Sequence, residues 1–492
     1  MKNKKPNVII MYADDLGYGD VGCYGGERIP TPNIDRLASS GLRFTEGYAA
    51  AATCTPSRYS LMTGEYPWRN EQAAILAGDA PLIIPPNAPT MPRMFQDAGY
   101  TTGIVGKWHL GLGSGGLDWN QDISPCPLDI GFDYSYILAA TNDRVPCVYV
   151  DGRRVDGLDP DDPIEVTYDP NRPFPGLPTG RNNPELLRMM YTHGHDMSIV
   201  NGVSRIGYMR GGEAALWDDE TMADVFLEKA IGFVNDHSQE PFFLYYAFHQ
   251  PHVPRLPGPR FAGTSGLGPR GDVIMEMDWC VGQLLEALEK QGLQEDTIVI
   301  FSSDNGPVLN DGYRDQAVEL VGDHRPAGDL RGGKYSMYDG GTRVPFLLSW
   351  PGTVNAGSSD ALVCHIDFYA SFAALLGQPL AADAAVDSID VSAALLGQSE
   401  SGRAELVTEG NQGKTVLRQG DWAFIPPYPG PAVNKDVNIE LGNSPEPQLY
   451  DLRRDLSQQR NLAGEKRSVA ESMEARLEEL RASQGTRPAT EK

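Results

Sequence analysis

Short, continuous runs of apolar residues recur along the first two thirds of the chain and indicate buried strands. These runs occupy residues 8–11, 101–105, 242–247, 297–302 and 344–349. Runs of this length with few polar interruptions are typical of strands that are covered on both faces. Because longer segments with helical spacing separate them, the pattern predicts an α/β domain. We expect a large mixed, mostly parallel sheet flanked by helices.

The segments between these runs carry helix signals. An N-cap residue followed by proline marks one helix start, and glycines are placed to end two helices. Two other segments have apolar residues at 3.6-residue spacing. The expected helices run from Pro32 to Gly41 and over 91–98, 220–235, 273–290 and 367–376.

The pattern changes after residue 378. Residues 379–402 are rich in Ala, Ser and Gly, and short strand-like runs and one helical stretch follow them. We therefore expect two domains, a large α/β domain over 1–378 and a smaller C-terminal domain over 379–492 made of an antiparallel sheet plus a helix. Residues 125–218 show few clear elements. We interpret them as an insertion near the active site, because long loops in compact domains are usually functional.

Polar residues follow four of the expected strands where each strand ends. In chain order the pairs are Asp14 and Asp15, Lys107 and His109, His249 and His252, and Asp304 and Asn305. Because α/β sheets bind ligands at the carboxyl ends of their strands, we expect an active site at this edge. The carboxylates and the amide suit a hard cation such as Ca²⁺ or Mg²⁺. The alternative reading is that these residues form helix caps and turns.

The charge of the chain narrows the choice of partner. The formal net charge is −25. So acidic a surface disfavours nucleic acid and anionic membranes as partners. The chain also lacks an apolar run of the length that a membrane-spanning helix needs. Residues 1–5 are basic, but the apolar run behind them ends at Asp14, so it resembles a strand more than a secretory leader. We expect a cytoplasmic protein as written, or a periplasmic or secreted one if a leader was removed.

Six cysteines are scattered along the chain without a C-x-x-C pair. Cys126 and Cys147 could form a disulfide, but we favour reduced, buried thiols. Cys54 differs from the others because polar residues and proline surround it. It heads the string C-T-P-S-R at 54–58, with L-x-T-G at 61–64 behind it. We expect it to start a short helix that ends before Gly64, so that an anion site lies at the helix N-terminus.

The string at 54–64 resembles the signature of the formylglycine sulfatases. A second string, G-Y-T-T at 99–102 with G-K-W-H-L-G at 106–111, resembles another signature of that family. The L-Y-D-L at 449–452 is similar to the usual sulfatase ending. The chain is therefore identified as a member of this family, within the alkaline phosphatase superfamily, over nearly its whole length. The domain over 1–378 would then be the catalytic domain.

The resemblance implies a cofactor set. Cys54 would be oxidised by a formylglycine-generating maturation enzyme to formylglycine, whose hydrated aldehyde is the nucleophile. Ca²⁺ would be bound by residue 54 together with the four strand-end ligands, which are Asp14, Asp15, Asp304 and Asn305.

The resemblance also implies roles for five further residues. Arg58 would hold the hydrate, and Lys107 would neutralise sulfate charge. His109 would act as base, and His252 would donate a proton to the leaving oxygen. Lys334 would bind sulfate and share that proton. His249 is the less certain histidine of the motif at 249–254 and could be structural.

We predict a sulfatase that acts on a sulfated saccharide, with galactose or N-acetylgalactosamine sulfates as the first choice. The acidic surface disfavours long polyanions, so we expect an exo-acting, pocket-shaped site. Candidates for sugar contacts are Arg144, His193, His195 and His324. The alternatives are a phosphonate or phosphodiester monoesterase of the same superfamily, and a silent sulfated-glycan binder if Cys54 stays unmodified. The oligomeric state stays open.

Overall fold

The computed structural model describes residues 5–488, so residues 1–4 of the basic start lie outside the described residues. The α-helices of this range are α1 (Pro32–Ser39), α2 (Cys54–Thr63), α3 (Met91–Asp97), α4 (Met222–Asp236), α5 (Gly268–Gln291), α6 (Phe368–Leu375), α7 (Ser392–Leu395) and α8 (Arg467–Ala482). The expected helices are present, with ends that differ by a few residues.

The strands are β1 (Asn7–Ala13), β2 (Leu42–Phe44), β3 (Gly47–Tyr48), β4 (Thr101–Lys107), β5 (Tyr134–Leu138), β6 (Tyr149–Asp151), β7 (Arg154–Val155), β8 (Glu165–Thr167), β9 (Ile199–Val200), β10 (Val203–Ser204), β11 (Tyr208–Arg210), β12 (Phe242–Ala247), β13 (Thr297–Ser303), β14 (Phe346–Ser349), β15 (Gly357–Ser359), β16 (Val363–Cys364), β17 (Glu405–Glu409), β18 (Thr415–Gln419), β19 (Trp422–Ile425), β20 (Val433–Asn434), β21 (Ile439–Glu440) and β22 (Gln448–Asp451).

Ten strands form the central sheet, in the order β15-β2-β14-β13-β1-β12-β4-β5-β6-β7. The middle five, β13 to β5, are parallel to one another, whereas β14 and β6 run antiparallel to their inner neighbours. Every residue of β1 is buried, as are those of β12 and β13. The predicted large mixed, mostly parallel sheet is confirmed.

Helices cover both faces of this sheet. The ring of Phe233 on α4 packs edge-on against Phe242 of β12, and the ring of Phe95 on α3 stacks on the next residue, Phe243. Successive side chains of a strand point to opposite faces, so α3 and α4 lie on opposite sides. Helix α5 contacts α4 and α1, and α6 contacts α2 and α3. Double coverage explains why these strands read as continuous apolar runs.

The C-terminal part forms a separate sheet of four antiparallel strands in the order β17-β18-β19-β22. Helix α8 packs on it, with Met473 and Leu477 buried against Leu417 and Phe424. The predicted antiparallel sheet plus helix is therefore present. Leu395 of α7 packs instead in the main core. The boundary at residue 378 stays a prediction.

The segment over 125–218 contains strands β5, β6 and β7 of the central sheet and several very short strands outside it. Two of the pairs, β9 with β10 and β8 with β11, form small two-stranded sheets of their own. All six cysteines are free, including Cys126 and Cys147. Within residues 5–488, no helix has both the length and the apolar character needed to cross a bilayer.

Candidate active site

The ends of β1, β4, β12 and β13 bring the predicted polar residues to one edge of the sheet. The strands are parallel neighbours, so their carboxyl ends lie together. The backbone N–H of Asp14 donates to the carbonyl of Gln250 at 2.9 Å, and that of Asp304 donates to Ala13 at 3.1 Å. Asp14, Lys107 and Asp304 are fully buried. These four strands thus end at one shared cluster of charged side chains that is buried from solvent.

Three carboxylates and an amide converge in this cluster. One ligand atom from each of Asp14, Asp15, Cys54 and Asp304 lies within 4.8 Å of all the others. The amide nitrogen of Asn305 donates to Asp15 Oδ1 at 2.7 Å. The amide oxygen of Asn305, Oδ1, is buried and has no hydrogen-bond partner among the described residues.

These oxygens fit a hard cation. Burial raises the pKa of Asp14 well above its usual range, although the ammonium of Lys107 opposes the shift. A buried amide oxygen without a donor costs free energy unless something else satisfies it. Oxygen ligands of this kind suit Ca²⁺. The residues present therefore fit the implied ion, and Asn305 Oδ1 is the atom that most requires it.

Cys54 is the first residue of α2. Thr53 before it is extended, with φ of −148°, and Gly64 ends the helix with φ of 68°, as the sequence predicted. The thiol lies 3.5 Å from Asp14 Oδ1. Burial raises its pKa well above the usual range, so Cys54 is a thiol and not a thiolate here. An ordinary cysteine nucleophile is therefore disfavoured, because the thiolate is the reactive form.

Arg58 and Lys107 hold two of the carboxylates in place. Nε and Nη2 of Arg58 donate to Asp304 Oδ2 at 3.0 and 2.7 Å, and Nη1 donates to the hydroxyl of Tyr245 at 3.1 Å. Lys107 Nζ donates to Asp14 Oδ2 at 2.6 Å. Burial raises the pKa of Asp304, but Arg58 and Lys107 outweigh it and bring the value to about 2. Asp304 is therefore ionised.

His109 has one ring nitrogen engaged and one free to act. Its Nε2 lies 3.1 Å from the carbonyl of Leu76, so that nitrogen carries the proton. Its Nδ1 is buried without a partner among the described residues. Burial, reinforced by Lys107, lowers the pKa of His109. Its backbone has a φ of 58°, rare for a residue other than glycine, and Thr55 Oγ1 donates to its carbonyl at 3.0 Å.

Lys334 and His252 close the other side of the cluster. Lys334 Nζ donates to Asp15 Oδ2 at 2.8 Å and to Asp311 Oδ2 at 2.7 Å. His252 Nε2 lies 3.9 Å from Asp15 Oδ2, and its Nδ1 donates to the carbonyl of Val253 at 2.7 Å. Burial and then Lys334 lower the pKa of His252. Its Nε2 is the nitrogen that faces the cluster.

Two of the residues proposed for sugar contacts form a second cluster around Asp143. Arg144 Nη1 donates to Asp143 Oδ1 at 2.8 Å, and His195 Nε2 lies 2.8 Å from Asp143 Oδ2. The charge of Arg144 lowers the pKa of His109, after burial and Lys107. His252 likewise helps to lower the pKa of Asp143. This cluster therefore adjoins His109 and His252, which the sequence predicts to be catalytic.

The remaining predicted residues are placed differently. His193 is half-buried, and its Nδ1 lies 3.0 Å from the hydroxyl of Thr192. His324 is buried and turned to Asp20, with its Nε2 2.8 Å from Asp20 Oδ1. His249 packs against the ring of Phe226, and burial lowers its pKa to about 3. Among the described residues, neither His249 nor His324 forms a side-chain hydrogen bond to a residue predicted to be catalytic, although the charge of Lys107 helps to lower the pKa of His249.

Asp143 and Asp311 are the site residues that the sequence did not reveal. Asp311 accepts from Lys334, and Asp143 positions both Arg144 and His195. Each lies in a loop beside residues that are common in turns, in N-D-R at 142–144 and N-D-G at 310–312. The one available signal for Asp143 was its place directly before Arg144.

Comparison with known proteins gives a consistent result. The family model described as Sulfatase matches residues 6–378. An N-acetylgalactosamine-6-O-sulfatase of Bacteroides thetaiotaomicron is 48% identical over 480 residues, which is 97% of this chain and 94% of that protein. Human Arylsulfatase A is 32% identical over 485 residues, which is 94% of this chain and 84% of that protein.

A solved structure described under glycosaminoglycan metabolism by Bacteroides thetaiotaomicron superimposes with a TM-score of 0.96 at 48% identity. It covers 98% of this chain and 100% of its own.

Proposed function

The chain belongs to the sulfatase family, and we propose that it is an exo-acting carbohydrate sulfatase that hydrolyses the 6-O-sulfate of a terminal N-acetylgalactosamine. The observation that carries the proposal is the unsatisfied Asn305 Oδ1 within a ring of carboxylates at Cys54. The choice of sugar rests on the Bacteroides relative, and galactose 6-sulfate is the nearest variant of it.

The cofactors have defined places in this proposal. Asp14, Asp15, Asp304 and Asn305 would hold Ca²⁺, and Cys54 would carry the formylglycine produced by a maturation enzyme. Formylglycine supplies a hydrated aldehyde nucleophile, and Ca²⁺ supplies positive charge for the sulfate oxygens.

Three cations of the chain then bind and orient the sulfate. Arg58, Lys107 and Lys334 are all buried, and each is fixed by at least one carboxylate. Fixed cations in a water-excluded site stabilise developing negative charge more than mobile ones in water. Lys334 is held between Asp15 and Asp311, so it stays charged and cannot swing out to the surface.

Two histidines are placed to move protons. His109 presents an unprotonated Nδ1, which suits the base that regenerates the aldehyde. His252 presents Nε2, because its Nδ1–H is used by Val253. Nε2 would deliver a proton to the leaving sugar oxygen only from the imidazolium form, after taking one up, and the charges of Asp143 and Asp311 favour that form. Lys334 contacts the same carboxylate, Asp15, and would share this role.

The sugar is proposed to contact the cluster of Asp143, Arg144 and His195. Guanidinium, carboxylate and imidazole groups in a fixed arrangement distinguish sugar hydroxyls by donor and acceptor position. Gly312 leaves room for His195, since a Cβ at this position, with φ of 117°, would lie 2.0 Å from the imidazole Nδ1. A few converging groups are expected to overcome the repulsion between an anionic substrate and a chain of net charge −25.

Sulfate release from regiodefined saccharides tests the proposal. We expect turnover of terminal N-acetylgalactosamine 6-sulfate, with the 4-sulfate and an internal 6-sulfate at least about 100-fold slower. Cys54→Ala serves as the inactive control. Equal cleavage of terminal and internal sulfates would refute the exo-acting part. Faster hydrolysis of a phosphonate or phosphodiester than of every sulfate ester would refute the substrate class.

A further inference from the structure

One buried histidine, His365, has no role in the reaction derived above. It begins a 3₁₀ turn, His365–Asp367, that leads into α6, and its side chain is fully buried. Phe346 stacks on the imidazole, with ring centroids 5.2 Å apart. Burial lowers the pKa of His365 to about 3, although the charge of Asp304 opposes the shift. The ring is therefore neutral, with one nitrogen that donates and one that accepts.

Both ring nitrogens of His365 contact hydroxyl groups on neighbouring strands. Nε2 lies 2.7 Å from Ser302 Oγ of β13, and Nδ1 lies 2.8 Å from the hydroxyl of Tyr12 on β1. Tyr12 and Ser302 are direct partners in the parallel pairing of these two strands. Each lies two residues before a carboxylate of the catalytic edge, Asp14 on one strand and Asp304 on the other. His365 therefore bridges β1 and β13 just before their carboxyl ends.

The donors and acceptors in this set have one consistent direction. Ser302 Oγ donates to the carbonyl of Pro345 at 2.6 Å, so it must accept from His365 Nε2. The other ring nitrogen is then unprotonated and accepts from the hydroxyl of Tyr12. Because that proton is used, the Tyr12 oxygen accepts from Ser57 Oγ at 3.1 Å. All four side chains are fully buried, so the loss of one partner leaves a polar group unsatisfied.

The hydrogen bonds end on the helix that begins with Cys54. Ser57 lies on α2, three residues after Cys54 and directly before Arg58. The guanidinium of Arg58 lies over the ring of Tyr12, with its central carbon 5.5 Å from the ring centroid. Tyr12 thus contacts α2 through both its hydroxyl and its ring, and His365 fixes the direction in which that hydroxyl points.

We propose that His365 is a positioning residue, which acts through Tyr12 to hold α2 against the ends of β1 and β13. It thereby fixes residue 54 and Arg58 relative to the carboxylates at the two strand ends. An error of about 1 Å in the place of a reacting group can cost about 100-fold in rate, so a partial loosening of α2 predicts a smaller loss. The inference rests on the proposed role of residue 54 as the nucleophile and is independent of the choice of sugar.

The first test compares two isosteric tyrosine variants. Tyr12→Phe removes the hydroxyl that links His365 to α2 and keeps the ring under Arg58. Tyr100→Phe makes the same change before the start of β4, at the opposite end of the sheet, where the hydroxyl donates to the carbonyl of Pro6 at 2.7 Å. Rates are expressed per chain that carries formylglycine, as counted by intact mass. Tyr12→Phe should lower kcat about tenfold with KM within about twofold, and Tyr100→Phe should leave both within about twofold.

His365 itself is tested by two substitutions. His365→Leu removes both hydrogen bonds and should lower kcat about tenfold. His365→Gln supplies an amide oxygen and an amide nitrogen in place of the two ring nitrogens, and should restore kcat to within about threefold of the wild type. Because His365 acts through Tyr12, adding Tyr12→Phe to His365→Leu should lower kcat by less than about a further twofold. Independent, multiplying losses in the double variant would overturn the proposal.

Hydrogen exchange gives a readout that does not depend on turnover. In Tyr12→Phe and in His365→Leu, the amides of α2 should exchange about tenfold faster than in the wild type, because the helix loses its link to the sheet. The amides of α3 and of β18 should stay within about twofold of their wild-type rates. Equally faster exchange over all three elements would identify a histidine that only stabilises the fold, and would overturn the proposal.

The two tests separate this inference from the proposed function, and an aryl sulfate is assayed beside N-acetylgalactosamine 6-sulfate. If only the aryl sulfate is hydrolysed, the choice of sugar fails, and a loss of kcat in Tyr12→Phe on that substrate still supports the positioning role. If Cys54→Ala retains wild-type activity, the proposed function fails, while faster exchange confined to α2 still supports the link to the sheet. If Cys54→Ala is inactive, and Tyr12→Phe and His365→Leu match Tyr100→Phe in kcat, only the positioning role fails.

Discussion

Two buried charge clusters follow β1 in the chain, around Asp20 and around Asp14, and they differ in how completely their polar atoms are hydrogen-bonded. In the first, Asp20 accepts from two nitrogens of Arg270 at 2.7 and 2.6 Å, from the N–H of Gly17 at 2.7 Å, and from His324 at 2.8 Å. In the second, Asp14, Asp15 and Asp304 share three cations, and Asn305 Oδ1 has no donor among the described residues.

The difference indicates which cluster is structural and which requires a ligand. Burial raises the pKa of Asp20, but Arg270 outweighs it and brings the value to about 2. Burial raises the pKa of Asp14 instead, and its neighbours Asp304 and Asp15 add to the rise. Around Asp20 both carboxylate oxygens have donors, and we call this the closed cluster; such a complete set of partners stabilises a buried charge. An incomplete set of oxygens is what a cation site looks like without its cation.

The largest effect is expected at the nucleophile. Cys54→Ala should lower kcat by about 10⁵-fold, because the covalent route is lost, while the melting temperature should stay close to that of the wild type. Cys54→Ser should stall as a sulfated enzyme, since the sulfate ester of an unconverted serine has no second hydroxyl through which it could collapse as a hemiacetal does. Intact mass identifies formylglycine in the wild type by the exchange of thiol for aldehyde. Repeated turnover by the serine variant at a rate near wild type would contradict the formylglycine mechanism.

The metal ligands come next. Asp304→Ala and Asn305→Ala should each lower kcat/KM by about 10³-fold, because charge stabilisation of the sulfate oxygens is worth several kcal/mol. Asn305→Ala is the cleaner variant, since it leaves the Arg58–Asp304 pair intact. Steady-state assays with and without added Ca²⁺ give the measurement. Full activity of a metal-depleted wild type would show that the incomplete cluster does not need a cation.

His252 should show a dependence on the leaving group. His252→Ala should lower kcat/KM about 100-fold for a sugar sulfate and less than about fivefold for an aryl sulfate, because a phenolate of low pKa leaves without a proton. Parallel assays on the two substrate classes give the ratio. An equal loss on both classes would mean that His252 binds sulfate and transfers no proton.

The closed cluster should affect stability and not chemistry. Arg270→Met leaves Asp20 with a buried, partly unpaired charge, so we expect the free energy of unfolding to fall by about 3 kcal/mol. Denaturant titration measures the loss, and kcat of the folded fraction should remain within about threefold of the wild type. A large fall in kcat with unchanged stability would place Asp20 in the catalytic machinery.

The smallest effect is a pH dependence. The folded pKa of Asp20 lies below its value of about 3.9 in an unfolded chain, so its contribution is present above that pH and is lost as the pH falls towards 2. The free energy of unfolding of the wild type should exceed that of Asp20→Asn at pH 5, and this difference should shrink by about 1 kcal/mol when the pH is lowered from 5 to 3. A constant gap over this range would contradict the assignment of Asp20 as an ionised partner of Arg270.

The sequence correctly predicted that these polar residues meet at one edge of the sheet, because buried strands end where polar residues begin. The runs over 8–11 and 297–302 placed Asp14 and Asp304 correctly at one sheet edge. The helix start at Cys54 followed from its proline and from Gly64. These are local signals, and local signals are what a single sequence carries.

The parts that the sequence did not reveal depend on long-range packing. His324 contacts Asp20, although the two residues are 304 positions apart in the chain, and no spacing rule relates them. Strands β5, β6 and β7 lie within the segment taken as an insertion, and the pairing of β5 with β4 joins them to the rest of the sheet. The positive φ of His109 is a tertiary feature, which the hydrogen bond from Thr55 helps to hold.

Calcium content per chain tests the central contrast most directly. Native mass spectrometry after equilibration with Ca²⁺ should find one tightly bound ion in the wild type, one in Arg270→Met, and none in Asn305→Ala or Asp304→Ala. That result would assign the ion to the incomplete cluster and exclude the closed one. A wild type without bound calcium, or Asn305→Ala and Asp304→Ala variants that retain it, would contradict the account.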